Sequence, residues 1–384
     1  MFKEPYQIFF PLGLLFGMMG VAVWVVFGFF PATRFPSIFH SELMLGGFMW
    51  TFAMGFLMTA IPRFTGSRSA NGFEKGILFL LVTGLFFAVI LNRQKYFHLF
   101  FSLEILWISF FGVRRILRGA FSPPPSFLLI GFGLAITFAA NVSLAFANHL
   151  SADLKLLSMR LIEYGFPQFL ILGVGSQLLP NILGTLPRPK TGPQLPGTPF
   201  STPLPDKRIV FLFAVYGLIL SAAYILEIFV NFRLGCSLRA LLITFILLFH
   251  WRFYKRPPRD VILTWGLWLS GWLLAISQWV MAWVSAYAIH AAHLFFIGSL
   301  SLMIFFVAAR VTLTHGGYGQ SLERSSKTLR VVLSLILLAM LTRVLAPFSK
   351  NYPAHLAYAA LIWILALFLW SALFLKKIFV RKRD

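Results

Sequence analysis

Apolar residues in this chain come in runs too long to be the buried faces of soluble helices. The first fills residues 8–30. Eleven more follow at 39–62, 76–92, 97–117, 126–148, 160–180, 209–230, 236–250, 261–283, 286–309, 330–347 and 354–375. About 20 helical residues cross the hydrocarbon core of a bilayer, and most of the runs reach that length. In lipid a backbone must satisfy its own N–H and C=O groups, which for such runs means α-helix. The expected fold class is therefore all-α, a polytopic membrane bundle of about twelve transmembrane helices. Charged residues make up 11% of the chain, against about a quarter in soluble domains, so no soluble domain fits between the runs. The first run is long enough to span and is followed by no small-residue cleavage site, so it reads as a helix and not as a signal peptide.

The longest connection, 187–207, is rich in Pro, Gly and Thr. It divides a single membrane domain into two six-helix halves, about 1–186 and 208–384, with no sequence repeat between them. The net charge of +22 raises the question of nucleic acid. No nucleic-acid module is present, however, and the basic residues sit between spans, where they set orientation. Lys3, the tail after the last run and the loops after the even-numbered runs hold 24 of the 33 Lys and Arg residues. Both termini are therefore expected in the cytoplasm, as in a multi-pass protein of the bacterial inner membrane with lipid as its surroundings. A single cysteine, Cys236, excludes an intrachain disulfide and any Cys-rich metal cluster.

Six of the eight histidines, His40, His98, His149, His290, His293 and His355, fall at the opposite, outer ends of the runs. His40 opens the second run, and Met44, four residues on, shares its helix face. Gly46, Gly47 and Gly55 would let a helix or flat cofactor come close. Imidazole and thioether together suit haem iron or copper, although an interfacial histidine beside a packing methionine gives the same pattern. Glu42 lies on another face, either as a solvated carboxylate or as a group that handles protons or orients a ligand. In the tenth run His290 and His293 are three apart on one face, which suits two ligands to one centre, or one ligand oriented by the other. His149 and His355 are further candidate metal ligands at this end. Arg160 can pair with Glu163 three residues on, or hold a haem propionate, since Arg favours carboxylates. Cys236 is a candidate copper thiol, though a buried inert thiol is the commoner state. The tryptophans of the ninth run read as packing and interface belt. Walker loops, dinucleotide fingerprints, zincin motifs and nucleophile elbows are absent from the sequence.

Three segments resemble the NnrS family of bacterial membrane proteins. In the second run these are His40, Met44, Leu45 and Gly47, followed by GFLMTAIPRFTG at 55–66. In the tenth they are His293 and Gly298, then Arg310-Val-Thr-Leu and His315-Gly-Gly. In the sixth it is Gly175-Ser-Gln-Leu-Leu-Pro180. The resemblance implies a membrane protein of the nitric oxide response that holds haem and copper, with His40 and His293 as the iron ligands to carry over and His290 and Met44 as second choices. The chain departs from the family pattern at Glu42, where a second histidine is common, and at Leu43, Gln177 and Thr314. The copper site is the part most exposed to those departures. A looser likeness joins the chain to the catalytic subunit of haem–copper oxidases and nitric oxide reductases, which bear haem ligands on their second and tenth spans. Their further histidines, in the sixth and seventh spans, have no counterpart here.

The expected function is thus that of an inner-membrane protein with haem b, there being no Cys-X-X-Cys-His for covalent attachment, and copper as a second cofactor. Its expected ligand is nitric oxide or a related diatomic. Two other readings fit the same residues. One is a proton- or metal-coupled secondary transporter, with the outer histidines and Glu42 as the ion path. The other is a haem-dependent oxidoreductase fed by quinol or another redox partner.

Overall fold

A computed structural model describes residues 3–30, 35–185, 206–258, 260–319 and 321–380, and every regular element among them is helical. Twelve long helical segments match the twelve apolar runs. They are α1 (Tyr6–Phe29), α2 (Ser37–Thr65), α3 (Gly72–Ile90), α4 (Gln94–Arg118), α5 (Phe127–Ala145), α6 (152–182), α7 (Lys207–Phe229), α8 (Phe232–His250), α9 (Ile262–Trp283), α10 (Ser285–His315), α11 (Lys327–Phe348) and α12 (Tyr352–Phe379). Ten of these are long and apolar enough to cross a membrane. The other two are of spanning length but less apolar, because α6 carries Arg160 and Glu163 and α9 carries Gln278 and five tryptophans. The Pro- and Gly-rich connection lies outside the described residues as far as 205.

Helix ends follow the polar punctuation of the sequence. Asn71 caps α3 in a capping box. Its side chain accepts from the Glu74 amide at 2.8 Å, and the Glu74 carboxylate accepts from the Asn71 amide at 2.9 Å. Asn231, Ser326 and Asn351 cap α8, α11 and α12 with single bonds of the same kind. Gly66, at φ +64°, takes the left-handed conformation that ends α2.

Consecutive helices pack side by side, and α1 also lies along α12. Burial separates the helices into two sets. In α2 and α10, 78% and 67% of the apolar stretch is buried, against 33–44% in the other eight spans of this kind. In α6 the run 164–173 is buried without a break. These three are the inner helices, and α10 touches α2 as well as α9, α11 and α12. The outer helices turn large apolar side chains outward, among them Leu80, Phe211 and Leu117 at 68%, 71% and 79% exposure, as a lipid-facing surface does.

The two ends of the bundle differ in chemistry. His40, His98, His149, His290, His293 and His355 share one end, the histidine end. The other, the arginine end, is tied by ion pairs. Arg115 grips both oxygens of Glu74 at 2.6 Å, Arg63 reaches Glu4 at 2.9 Å, and Arg310 meets Glu323 of the short helix Ser321–Ser325.

Candidate functional site

Each inner helix is interrupted near the histidine end by a π-helical stretch: Leu43–Met49 in α2, Leu161–Gly165 in α6 and Leu294–Ser301 in α10. A π stretch widens the turn and re-aims the side chains on either side of it, and such stretches are frequent at functional sites. In α2 and α10 only a six-residue α-helical stub precedes the break, Ser37–Glu42 and Ala288–His293, and each stub carries candidate histidines. The sequence holds no periodicity signal for these breaks.

His40 is half-buried and donates its Nδ1 hydrogen to the carbonyl of Gly20 on α1 at 2.7 Å. Trp24 meets its ring edge-on at 5.5 Å. His293 donates Nδ1–H to the carbonyl of Ile289, also at 2.7 Å, and Phe296 meets its ring edge-on at 5.9 Å. A carbonyl can only accept, so both imidazoles are the Nδ1–H tautomer and both leave Nε2 with a free lone pair. Backbone bonds of this kind orient metal-ligating histidines. His290 is different. Arg343 of α11 donates to its Nδ1 at 2.7 Å, so a neutral His290 carries its hydrogen on Nε2 and offers no lone pair there. His40, His290 and Arg343 all lie within electrostatic range of His293. Residues from α2, α10 and α11, far apart in the chain, are thus gathered in one place.

The other candidates divide. Met44 packs against Gly20, the residue that receives the His40 bond. Glu42 is buried and makes no hydrogen bond or ion pair with the described residues. His98 donates Nδ1–H to Asn141 Oδ1 at 2.8 Å and so ties α4 to α5. His149 is exposed on the short turn Ala147–His149. His355 is half-buried on α12 beside Tyr358, and its Nδ1 has no partner among the described residues. Arg160 stands 3.6 Å from Glu227 and 3.9 Å from Glu163, the latter being the (i, i+3) pairing. Its guanidinium lies over the Tyr164 ring, which meets Phe296 beside His293.

A second polar cluster, between α6, α7, α8 and α9, carried little signal in the sequence. Arg239 is fully buried. It donates to Glu227, to Gln278 at 3.1 Å and to Cys236 Sγ at 3.1 Å, and its guanidinium lies 4.2 Å from the centre of the Tyr224 ring. Tyr224 in turn donates to Gln168 at 2.8 Å. Glu104 is a further surprise. It is 0% exposed near the middle of α4, faces Trp50 of α2, and neither of its oxygens makes a well-formed hydrogen bond with the described residues.

The donor set fits a haem better than a closed copper site. Two neutral imidazoles on different inner helices, each with Nε2 free and its ring fixed, would be suitable donors to a haem iron. Among the described residues no three His, Cys, Asp or Glu side chains gather as metal ligands, and the Cys236 thiol is covered and occupied by Arg239.

Residues 1–383 match the family model described as NnrS protein. No curated protein matches the chain. The match spans nearly the whole sequence, and the chain belongs to the NnrS family, a family of bacterial membrane proteins associated with the nitric oxide response.

Proposed function

We propose, with membership of the NnrS family as the premise, that this chain is a haem protein of the bacterial cytoplasmic membrane that acts in the response to nitric oxide. His40 and His293 hold a b-type haem at the histidine end. One observation carries this reading: both imidazoles give Nδ1–H to a backbone carbonyl at 2.7 Å and keep Nε2 free, within electrostatic range of each other. A haem held by both imidazoles would have its iron fully ligated, so it could take up a diatomic such as nitric oxide only where one of the two histidines gives way.

The chain's own residues orient the ligands and exclude water. The carbonyls of Gly20 and Ile289 fix the tautomers, and Trp24 and Phe296 fix the ring planes. Beneath the histidines, α2, α6 and α10 line a partly open cavity of about 100 Å³ walled by Met49, Phe52, Ala53, Leu170, Val174 and Met303 among others, all of them apolar. Met49 follows His40 by nine residues, roughly 13 Å along a helix, so the cavity lies below the ligand pair and apart from it. An apolar cavity of this size admits small apolar molecules, and nitric oxide is both small and apolar. The excess of Lys and Arg in the loops of the opposite end supports an outward-facing histidine end and cytoplasmic termini.

The test is an optical spectrum and iron content of the purified protein, repeated on His40→Ala, His293→Ala and His149→Ala. The first two are expected to lose the Soret band of bound haem and the third to keep it. Haem uptake unchanged in both His40→Ala and His293→Ala would overturn the proposal. Cytoplasmic reporters fused to either terminus test the orientation, and inactive fusions at both would reverse it.

A second reading, a proton-coupled transporter, is favoured by the buried carboxyl of Glu104 near mid-span beside the broken helix α2. Proton uptake by vesicles that depends on Glu104 and not on His40 would decide for it.

A further inference from the structure

Arg343 differs from the other guanidinium groups turned into this fold. Arg63, Arg115, Arg160, Arg239 and Arg310 each have a carboxylate within 4 Å. Arg343 is as buried as Arg115, at 8% exposure, yet no carboxylate among the described residues pairs with it. Of the chain's eleven acidic residues only Asp384, the last, lies outside those described. A buried charge without a counter-charge is costly, and proteins keep such groups where something outside the chain completes them.

The surroundings indicate what that would be. One N–H of the guanidinium is used on His290 Nδ1, and the Tyr352 hydroxyl lies close enough to interact with another. The remaining donors form the planar fork that matches a carboxylate with two parallel hydrogen bonds. The same charge lies within electrostatic range of His40 and His293. A metal held by those two residues would sit beside an uncompensated cation unless an anion lay between them.

We propose that Arg343, oriented by His290, is the anion-receiving group of the histidine end, and that its ligand is a planar oxyanion with two parallel acceptor oxygens. Two sources supply that chemistry: a haem propionate, which rests on the haem reading above, and a free oxyanion such as nitrite, which does not. His290 is then a positioning residue. Its Nδ1 holds one arm of the fork and turns the other toward the ligand.

The experiment titrates haemin, haemin dimethyl ester and nitrite separately into purified full-length protein freed of haem. The variants are Arg343→Gln, Arg343→Lys and Arg93→Gln. Arg93 is exposed at the same end and controls for loss of charge alone. Esterified propionates cannot accept a bidentate charged pair, so the wild type should prefer haemin over its ester by about tenfold or more. Arg343→Gln should take up both alike, Arg343→Lys should keep only part of the preference, and Arg93→Gln should keep all of it. Should Arg343→Gln fail to fold, the reduced preference of Arg343→Lys carries the test. If no variant takes up either porphyrin, the haem reading fails, and nitrite then decides. Nitrite binding to the wild type and not to the Arg343 variants upholds the anion site, while no nitrite binding overturns it. A haemin preference unchanged in both Arg343 variants, with nitrite binding absent or equally unchanged, likewise overturns it.

Discussion

His40 of α2 gives its Nδ1 hydrogen to the carbonyl of Gly20 on α1, and the contact depends on Gly20 having no side chain. A Cβ at Gly20 would stand 3.0 Å from Leu43 Cβ and 3.2 Å from Met44 Sδ, tighter than ordinary packing. Gly20→Val should force α1 and α2 apart and lengthen the bond that fixes the His40 tautomer. Overpacking of this kind costs about 1–3 kcal/mol. Denaturant unfolding in detergent should show that loss together with weaker haem retention, and a wild-type midpoint with wild-type retention would contradict the packing described.

At the arginine end the Glu74–Arg115 pair is buried and bidentate, and Trp107 also donates to the Glu74 carbonyl at 3.2 Å. Breaking a buried pair from one side strands the other charge and costs about 3–5 kcal/mol. Arg115→Leu alone should show a loss of that size. Adding Glu74→Leu should recover most of it, because the stranded carboxylate is then gone. A double variant as unstable as the single one would mean that the capping role of Glu74 at Asn71, and not its charge, dominates.

Cys236 is fully buried and receives a hydrogen bond from Arg239, which also holds Glu227 and Gln278. A thiol covered in this way is inert to reagents until the cluster opens. A membrane-permeant maleimide should leave Cys236 unmodified in the folded protein and label it fully after denaturation, as read by mass spectrometry. Arg239→Ala should convert it to rapid labelling without denaturant. Fast labelling of the wild type would show that the cluster opens readily.

The bundle was legible in the sequence because lipid leaves a chain few choices. All twelve helices match their apolar runs, and the caps fall on residues such as Asn71, Asn231 and Ser326 that punctuate them. The convergence of α2 and α10 was legible only as a resemblance, since nothing in the spacing of His40 and His293 says that two distant helices meet. Arg239 and Arg343 show the limit most clearly. A basic residue a few positions inside a span end reads as one that reaches out to the interface. Here both side chains turn inward, and only the neighbouring helices, with Glu227 in one case and His290 in the other, make that possible. The π-helical breaks gave no signal because they leave the apolar pattern unchanged.

The cavity between the inner helices makes a kinetic test of the proposed function. Ala53 and Val174 face it from α2 and α6. Ala53→Trp or Val174→Trp should fill it and slow nitric oxide association with the reduced haem protein several-fold, while the spectrum of the bound haem stays as in the wild type. Xenon should bind the wild-type cavity and not the filled variants, a readout independent of haem. Unchanged association rates in variants that no longer bind xenon would show that nitric oxide arrives by another route.

Glu104 gives the sharpest separation of stability from function. Neither carboxyl oxygen makes a well-formed hydrogen bond with the described residues, and the one polar group that faces it is the indole N–H of Trp50. A buried polar group left unmatched costs about 1–3 kcal/mol, so Glu104→Leu is expected to raise unfolding stability by a similar amount. If the carboxyl serves to carry a proton through the middle of the bundle, the stabilised variant will lose proton uptake or nitric oxide protection while it keeps its fold and any bound haem. A variant that gains stability and keeps every activity would assign Glu104 no role. One that loses stability would mean that bound water or lipid satisfies the carboxyl in the membrane, and that the cost inferred from its burial is not borne by the protein.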